Sequence, residues 1–180
     1  RVAKAKGVRP EEITVTILDR PRHAELIASV RSVGARVFLL RDGDAAGAIA
    51  AAMPRKEVDM CMGVGGTPEG VISAAALKCL GGAMQGRLYP RDDAERKVLV
   101  EDGFDLEAVL TTDDLVSGDD VFFAASGITG GYLLEGVRYW PDGATTYSMV
   151  MRSRSGTLRY IEAEHRFEKL ERFSPIAYRR

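Results

Sequence analysis

Across 180 residues this chain carries only two cysteines, two histidines and one tryptophan, and its charges nearly cancel, leaving a net charge of -1. Each scarcity excludes something. Cys61 and Cys79 fit no metal-ligand or redox spacing and lie in apolar stretches. They therefore read as reduced core residues of a cytoplasmic protein, not as a disulfide framework. The balanced charge excludes a general nucleic-acid binder or a protein drawn to an anionic membrane surface. The basic C-terminus, with Arg172, Arg179 and Arg180, is too short to act as a basic arm. No apolar run reaches transmembrane length and no signal peptide is visible. An initiator methionine is also missing, and Arg1 to Lys6 read as the end of a helix, so the expectation is one part of something larger. What is present, 46% hydrophobic and 28% charged residues, is an ordinary globular balance that predicts one domain over residues 1–180.

The first half alternates between two periodicities. The β-branched, alternating run at 13–19 predicts a strand. Leu26, Ile27, Val30 and Val33 at helical spacing predict a helix over 22–34, stopped by Gly34. A strand at 36–40, a small-residue helix at 44–53 closed by Pro54, a strand at 58–64 and a helix at 68–82 follow. This β-α-β-α-β-α order with short loops predicts an α/β fold with a mostly parallel sheet covered by helices. Residues 86–90 add a possible further strand, and the polar stretch 92–118 opens as a helix. After Gly118 four strand-like runs come at close spacing (120–128, 132–140, 145–153 and 157–167), separated by Thr-Gly-Gly, Pro-Asp-Gly and Arg-Ser-Gly. These are hairpin signals, so the second half is expected to be antiparallel.

Ligand loops in parallel α/β sheets lie beyond the C-terminal ends of the strands. Here the three predicted strands run into Asp19-Arg20-Pro21-Arg22-His23, Asp42-Gly43-Asp44 and Gly63-Val64-Gly65-Gly66-Thr67-Pro68-Glu69-Gly70. Arg20 and Arg22 flank a stiffening proline. They are either two solvated arginines or a bidentate phosphate grip, and cations at a helix start call for an anion nearby. Asp44 reads as a helix N-cap, or else Asp42 and Asp44 bind sugar hydroxyls or a cation. His23 reads as a local hydrogen-bonding residue; His165 receives no role. Gly65 and Gly66 let a ligand approach the backbone and the free N–H groups behind them, Thr67 is a candidate N-cap, and Pro68 suits the first helical position. Neither the dinucleotide fingerprint nor the phosphate-loop lysine is present. Glu69 either compensates the helix dipole or holds a divalent cation between itself and a phosphate.

The stretches TVTILDRPRH, RVFLLRDGDAAGAI, GVGGTPEGVISAAALKCLGG, MQGRLYPR and ASGITGGYLLEGV, in that order, closely resemble the C-terminal half of class II fructose-1,6-bisphosphatases over nearly the whole chain. The resemblance implies membership of the lithium-sensitive, inositol-monophosphatase-like sugar phosphatases and half of their layered α/β/α/β/α sandwich. It implies Mg2+- or Mn2+-dependent hydrolysis of the 1-phosphate of fructose 1,6-bisphosphate, in gluconeogenesis or the Calvin cycle, and in some photosynthetic bacteria of sedoheptulose 1,7-bisphosphate. Carried over residue by residue, the family's Lys-Pro-Arg substrate motif falls on Arg20, Pro21 and Arg22, with arginine replacing the lysine. Its Asp-Gly-Asp falls on Asp42, Gly43 and Asp44, a substrate-contacting glycine on Gly66, and a metal ligand on Glu69. The family's Asp-Pro-x-x-Gly-Thr motif and most of its metal carboxylates are absent, so no catalytic residue is assigned here. The expected partners are the bisphosphate, an N-terminal half of the same enzyme and further copies in a homo-oligomer. The rival expectation is a non-catalytic, phosphosugar-binding regulatory domain.

Overall fold

The computed structural model describes residues 1–54 and 57–174; Arg179 and Arg180 lie outside this range. Its first half runs α1 (Val2–Lys6), β1 (Thr14–Leu18), α2 (Ala24–Ser32), β2 (Arg36–Leu40), α3 (Asp44–Ala52), β3 (Met60–Cys61) and α4 (Thr67–Leu80). The three strands form a parallel sheet in the order β2-β1-β3, with Val15 opposite Val37 and Met60. Alternation along β1 sends Ile13, Val15 and Ile17 to one face, where they pack with Ile27 and Val30 of α2 and with Val2 and Ala3 of α1. Removing each of the five buried isoleucine and valine side chains of this cluster from water is worth about 1.5–3 kcal/mol. Thr16, Leu40 and Cys61 face α3 on the other side. There Gly47 lets the helix close on the sheet, since a Cβ at that position would press on all three side chains.

The α4 segment is rich in alanine, and its Ser73, Ala74, Ala76, Leu77 and Cys79 are buried. Small side chains let it lie beside α3 and against a second sheet at the same time. Gly81, in the left-handed conformation, caps its end by donating to the Leu77 carbonyl. The chain then passes through β4 (Gln85–Gly86), α5 (Asp93–Glu101), β5 (Leu110–Thr111) and α6 (Thr112–Leu115). The strand expected at 86–90 is thus only a two-residue pairing of β4 with β5.

The second half holds β6 (Phe122–Ser126), β7 (Arg138–Trp140), β8 (Gly143–Arg152), β9 (Thr157–Arg166) and α7 (Phe167–Leu170). Its sheet is antiparallel throughout. β9 pairs along the whole of β8, while β6 and β7 lie end to end on the other side of β8. Met149 and Met151 of β8, both fully buried, meet Ile49 of α3, Met53 just after it, and Ala76 and Cys79 of α4. The layers therefore run helix, parallel sheet, helix, antiparallel sheet. This is the α/β class expected, with a parallel start and antiparallel strands after it.

Two expected strands are shorter than their apolar runs. Residues 132–137 form a loop, from which Leu133 and Leu134 pack into the core between the two layers while Tyr132 meets Phe38 with ring centroids 4.9 Å apart. Of the strand expected at 58–64, only Met60–Cys61 is strand; Met62 still donates to the Thr16 carbonyl, and beyond it Val64 bonds to His23.

Candidate functional site

All three parallel strands end on the same edge, which places the three polar loops side by side. Bonds between loops hold them there. The Arg20 guanidinium lies 3.5 Å from the Asp42 carboxylate, joining the first loop to the second. Asp42 is almost fully exposed, so this pair contributes little stability, at most about 1 kcal/mol. Arg22 Nε donates to the Val64 carbonyl at 2.9 Å, joining the first loop to the third. Nε is the inner nitrogen of the fork, so this bond fixes the guanidinium plane and leaves the two terminal nitrogens directed elsewhere. Among the described residues Arg22 has no ion-pair partner.

His23 completes the third junction. It is 2% exposed, and its Nδ1 lies 2.9 Å from the Leu18 carbonyl while the Val64 N–H donates to Nε2 at 2.9 Å. The Val64 carbonyl also lies 3.2 Å from Nε2. The two shorter contacts, a Leu18 carbonyl that needs a donor and a Val64 N–H that needs an acceptor, assign the proton to Nδ1. Successive side chains, Arg22 and His23, thus hold both backbone polar groups of Val64, which sit in the two peptide units on either side of its Cα. Gly63 lies flat on the imidazole; a Cβ there would sit 3.2 Å from the ring. The local hydrogen-bonding role expected for His23 is what the structure shows, but its reach across to the glycine loop was not foreseen. A lone histidine after an arginine motif gives no pattern that would reveal it.

The two carboxylates beside the glycine loop differ from expectation in position. Gly43, not Asp44, is the N-cap of α3, and its left-handed conformation (φ 89°) is one that glycine adopts without strain. Asp44 is instead the first residue of the helix, with its carboxylate lying over Gly65. Likewise Gly66, not Thr67, caps α4, Pro68 stands second in the helix, and Glu69 third. From that third position a glutamate folds back over the cap, and the Glu69 carboxylate lies against Gly66. A Cβ at Gly65 or Gly66 would meet the tip of one of these carboxylates, so the carboxylates occupy space that the glycines leave open. Asp44 also acts on Cys61: burial first, and the Asp44 charge second, push the Cys61 thiol up to about 11. Cys61 is therefore an inert thiol at neutral pH, and both cysteines are free, Cys79 fully buried and Cys61 half-buried.

The edge thus gathers Arg20, Pro21, Arg22, Asp42, Gly43, Asp44, Gly66 and Glu69. Arginine forks and a helix N-terminus suit an anion, and carboxylates suit hydroxyls or a cation. Among the described residues no three His, Cys, Asp or Glu side chains converge as a metal cluster. No helix there is long and apolar enough to cross a membrane. His165, in β9, bonds the Thr146 hydroxyl at 2.9 Å, away from this edge.

A parallel sheet with an arginine pair and a helix N-terminus at its C-terminal edge, backed by an antiparallel sheet, is an architecture suited to a phosphorylated small molecule. The family model for bacterial fructose-1,6-bisphosphatase, glpX-encoded, matches residues 1–165, and the chain belongs to this class II fructose-1,6-bisphosphatase family. It is 42% identical over 170 residues to the D-fructose 1,6-bisphosphatase class 2/sedoheptulose 1,7-bisphosphatase of Trichodesmium erythraeum, covering 87% of this chain and 49% of that protein. It is 40% identical over 177 residues to the protein of the same name from Synechococcus elongatus, covering 91% of this chain and 51% of the relative. The chain spans about half the length of the curated relatives it matches.

Proposed function

We propose that this chain is the C-terminal, substrate-binding half of a sugar bisphosphatase that hydrolyses the 1-phosphate of fructose 1,6-bisphosphate to fructose 6-phosphate and phosphate. The dual names of both relatives extend the reading to sedoheptulose 1,7-bisphosphate. The observation that carries it is the linkage of the three loops. The Arg20–Asp42 and Arg22–Val64 contacts bring the arginine pair, the aspartate pair and the glycine loop to one sheet edge.

In this reading the terminal nitrogens of Arg22, with Arg20 beside them, grip a phosphate group of the substrate. Pro21 stiffens the turn that carries them. Asp42 and Asp44 accept hydrogen bonds from sugar hydroxyls, and Gly43 shapes the turn between them. Gly66 keeps the backbone open to the ligand. Glu69 is exposed, lies in the first turn of α4 and carries a hard oxygen donor, which suits Mg2+ or Mn2+. One carboxylate is part of a coordination shell, so the remaining ligands belong to the N-terminal half that we assign to the same enzyme. When bound, the cation supplies charge neutralisation at the phosphoryl oxygens. We assign the complete protein to the cytoplasm and to a homo-oligomer, by analogy with its family.

The absence of a three-ligand cluster among the described residues favours a second reading for the chain on its own, a phosphosugar-binding regulatory domain. One experiment separates the two. Phosphate release from fructose 1,6-bisphosphate is measured with the complete polypeptide and with residues 1–180 alone, each across a Mn2+ and a Mg2+ titration. Metal-dependent release by the complete polypeptide only is the expected result. A complete polypeptide that binds the sugar without hydrolysing it supports the regulatory domain.

A further inference from the structure

We infer that His23 is a positioning residue for the bisphosphate site, a latch that sets the glycine loop against the arginine pair. The inference rests on the proposed function, since it concerns the same sheet edge, but the feature behind it is geometric. A histidine 2% exposed, one residue from the phosphate-gripping Arg22, accepts the Val64 N–H from a loop 41 positions away in sequence. Its other nitrogen is tied to the Leu18 carbonyl at the end of β1. The latch therefore runs from the rigid strand end, through the imidazole, to the loop that leads into Gly65, Gly66 and Glu69. The residue whose N–H it holds is the one whose carbonyl orients Arg22. Without it, the Arg22 fork and the start of α4 would each keep their chemistry and lose their fixed separation. Binding sites are sensitive to this kind of slack.

Two near-isosteric substitutions divide the latch. The amide nitrogen of asparagine falls where Nδ1 was, so His23→Asn keeps the bond to Leu18 and loses Val64. The amide oxygen of glutamine falls where Nε2 was, so His23→Gln keeps Val64 and loses Leu18. Each removes one buried hydrogen bond, and similar losses in Tm are expected. Function should separate them. In the complete polypeptide, His23→Asn should lower kcat/KM at least about tenfold, mostly through KM, while His23→Gln stays within roughly threefold of the unsubstituted enzyme. His23→Asn combined with Arg22→Ala should lose less than the product of the two single losses, because both act through the backbone of Val64. Hydrogen exchange gives a readout that does not depend on activity: the Val64 amide should exchange faster in His23→Asn and at the normal rate in His23→Gln.

Equal losses of kcat/KM in the two variants, following equal losses of Tm, would overturn the inference and leave His23 a purely structural residue. An unchanged Val64 exchange rate in His23→Asn would do the same. If the Val64 contrast holds while Arg22→Ala has no effect on KM in any background, the proposed function fails and the latch stands.

Discussion

The two sheets of this chain are built on opposite plans. In the parallel sheet the strands are short, β3 being two residues long, and much of what fixes its C-terminal edge is side-chain bonding between loops: Arg20 to Asp42, Arg22 and His23 to Val64. In the antiparallel sheet β8 and β9 pair over ten residues each, and Met149 and Met151 lock the register against α3 and α4. The first plan places functional groups and accepts local exposure. The second supplies stability through buried apolar contacts. Substitutions in the two regions should therefore fail differently, one through binding and turnover, the other through unfolding.

The largest effect should come from the antiparallel side. Met149 is fully buried at the junction of the layers. Met149→Ala should cost about 2–5 kcal/mol of stability from lost contacts and a residual cavity. A denaturant melt should show the loss, while kcat/KM per folded molecule stays unchanged. Turnover that fell in the folded fraction would blur the division of labour.

Glu69→Gln keeps the shape and removes the charge. In the complete polypeptide it should lower kcat by a factor on the order of a hundred or more, about 2.7 kcal/mol in activation free energy. Folding should shift by only about 0.3–1 kcal/mol, the contribution of a first-turn acid through the helix dipole. Activity across a Mn2+ titration, run alongside a thermal melt, checks both. Near-normal turnover with normal metal dependence would return Glu69 to dipole compensation. If Arg22 grips the phosphate as proposed, Arg22→Ala removes a charge-assisted bond worth roughly 1.5–3 kcal/mol, so kcat/KM should fall about ten- to hundredfold, with KM rising.

The smallest effect belongs to the opposite edge of the same parallel sheet. Asp59 accepts the Thr14 N–H at 2.7 Å and pairs with Lys6, tying the starts of β1 and β3 together. Burial pushes its carboxyl up. Hydrogen bonds from Lys6 and Thr14 and the charges of Lys6 and Arg36 outweigh burial and hold it below its ordinary value of 3.8. A depressed folded pKa gives stability that is full above the unfolded value and is lost as pH falls through the folded one. Asp59→Asn should thus cost about 1 kcal/mol at pH 7. The gap from the parent should close on acidification below pH 3.8, as followed by thermal melts over a pH series.

Much of the fold was legible in the sequence because local signals agreed. The β-branched run before Asp19 and the helices stopped by Gly34, Pro54 and Gly81 give β-α units directly, and Pro-Asp-Gly and Arg-Ser-Gly mark the turns around β8. The three loop motifs could be placed on one edge as soon as the strands were taken as parallel. The finer placements depended on contacts between distant residues. Tyr132, Leu133 and Leu134 look like a strand, but a tight loop carries them: a Cβ at Gly127 would strike the Glu135 carbonyl, and one at Gly136 would strike Gly130. Asp44 and Thr67 look like caps, yet glycine takes both cap positions, which leaves the Asp44 and Glu69 carboxylates to lie over Gly65 and Gly66. Beyond the short β3, Val64 bonds to a histidine 41 positions away, and no periodicity records that. The roles of the eight site residues remain those proposed above.

The most direct test sets the two edges of the parallel sheet side by side. KM for fructose 1,6-bisphosphate and Tm are measured on the same preparations of the complete polypeptide, carrying Arg22→Ala or Asp59→Asn. The two should cross: Arg22→Ala raises KM and leaves Tm nearly in place, while Asp59→Asn lowers Tm and leaves KM in place. An unchanged KM in Arg22→Ala, or an equal rise in both variants, would contradict the placement of the substrate at the C-terminal edge.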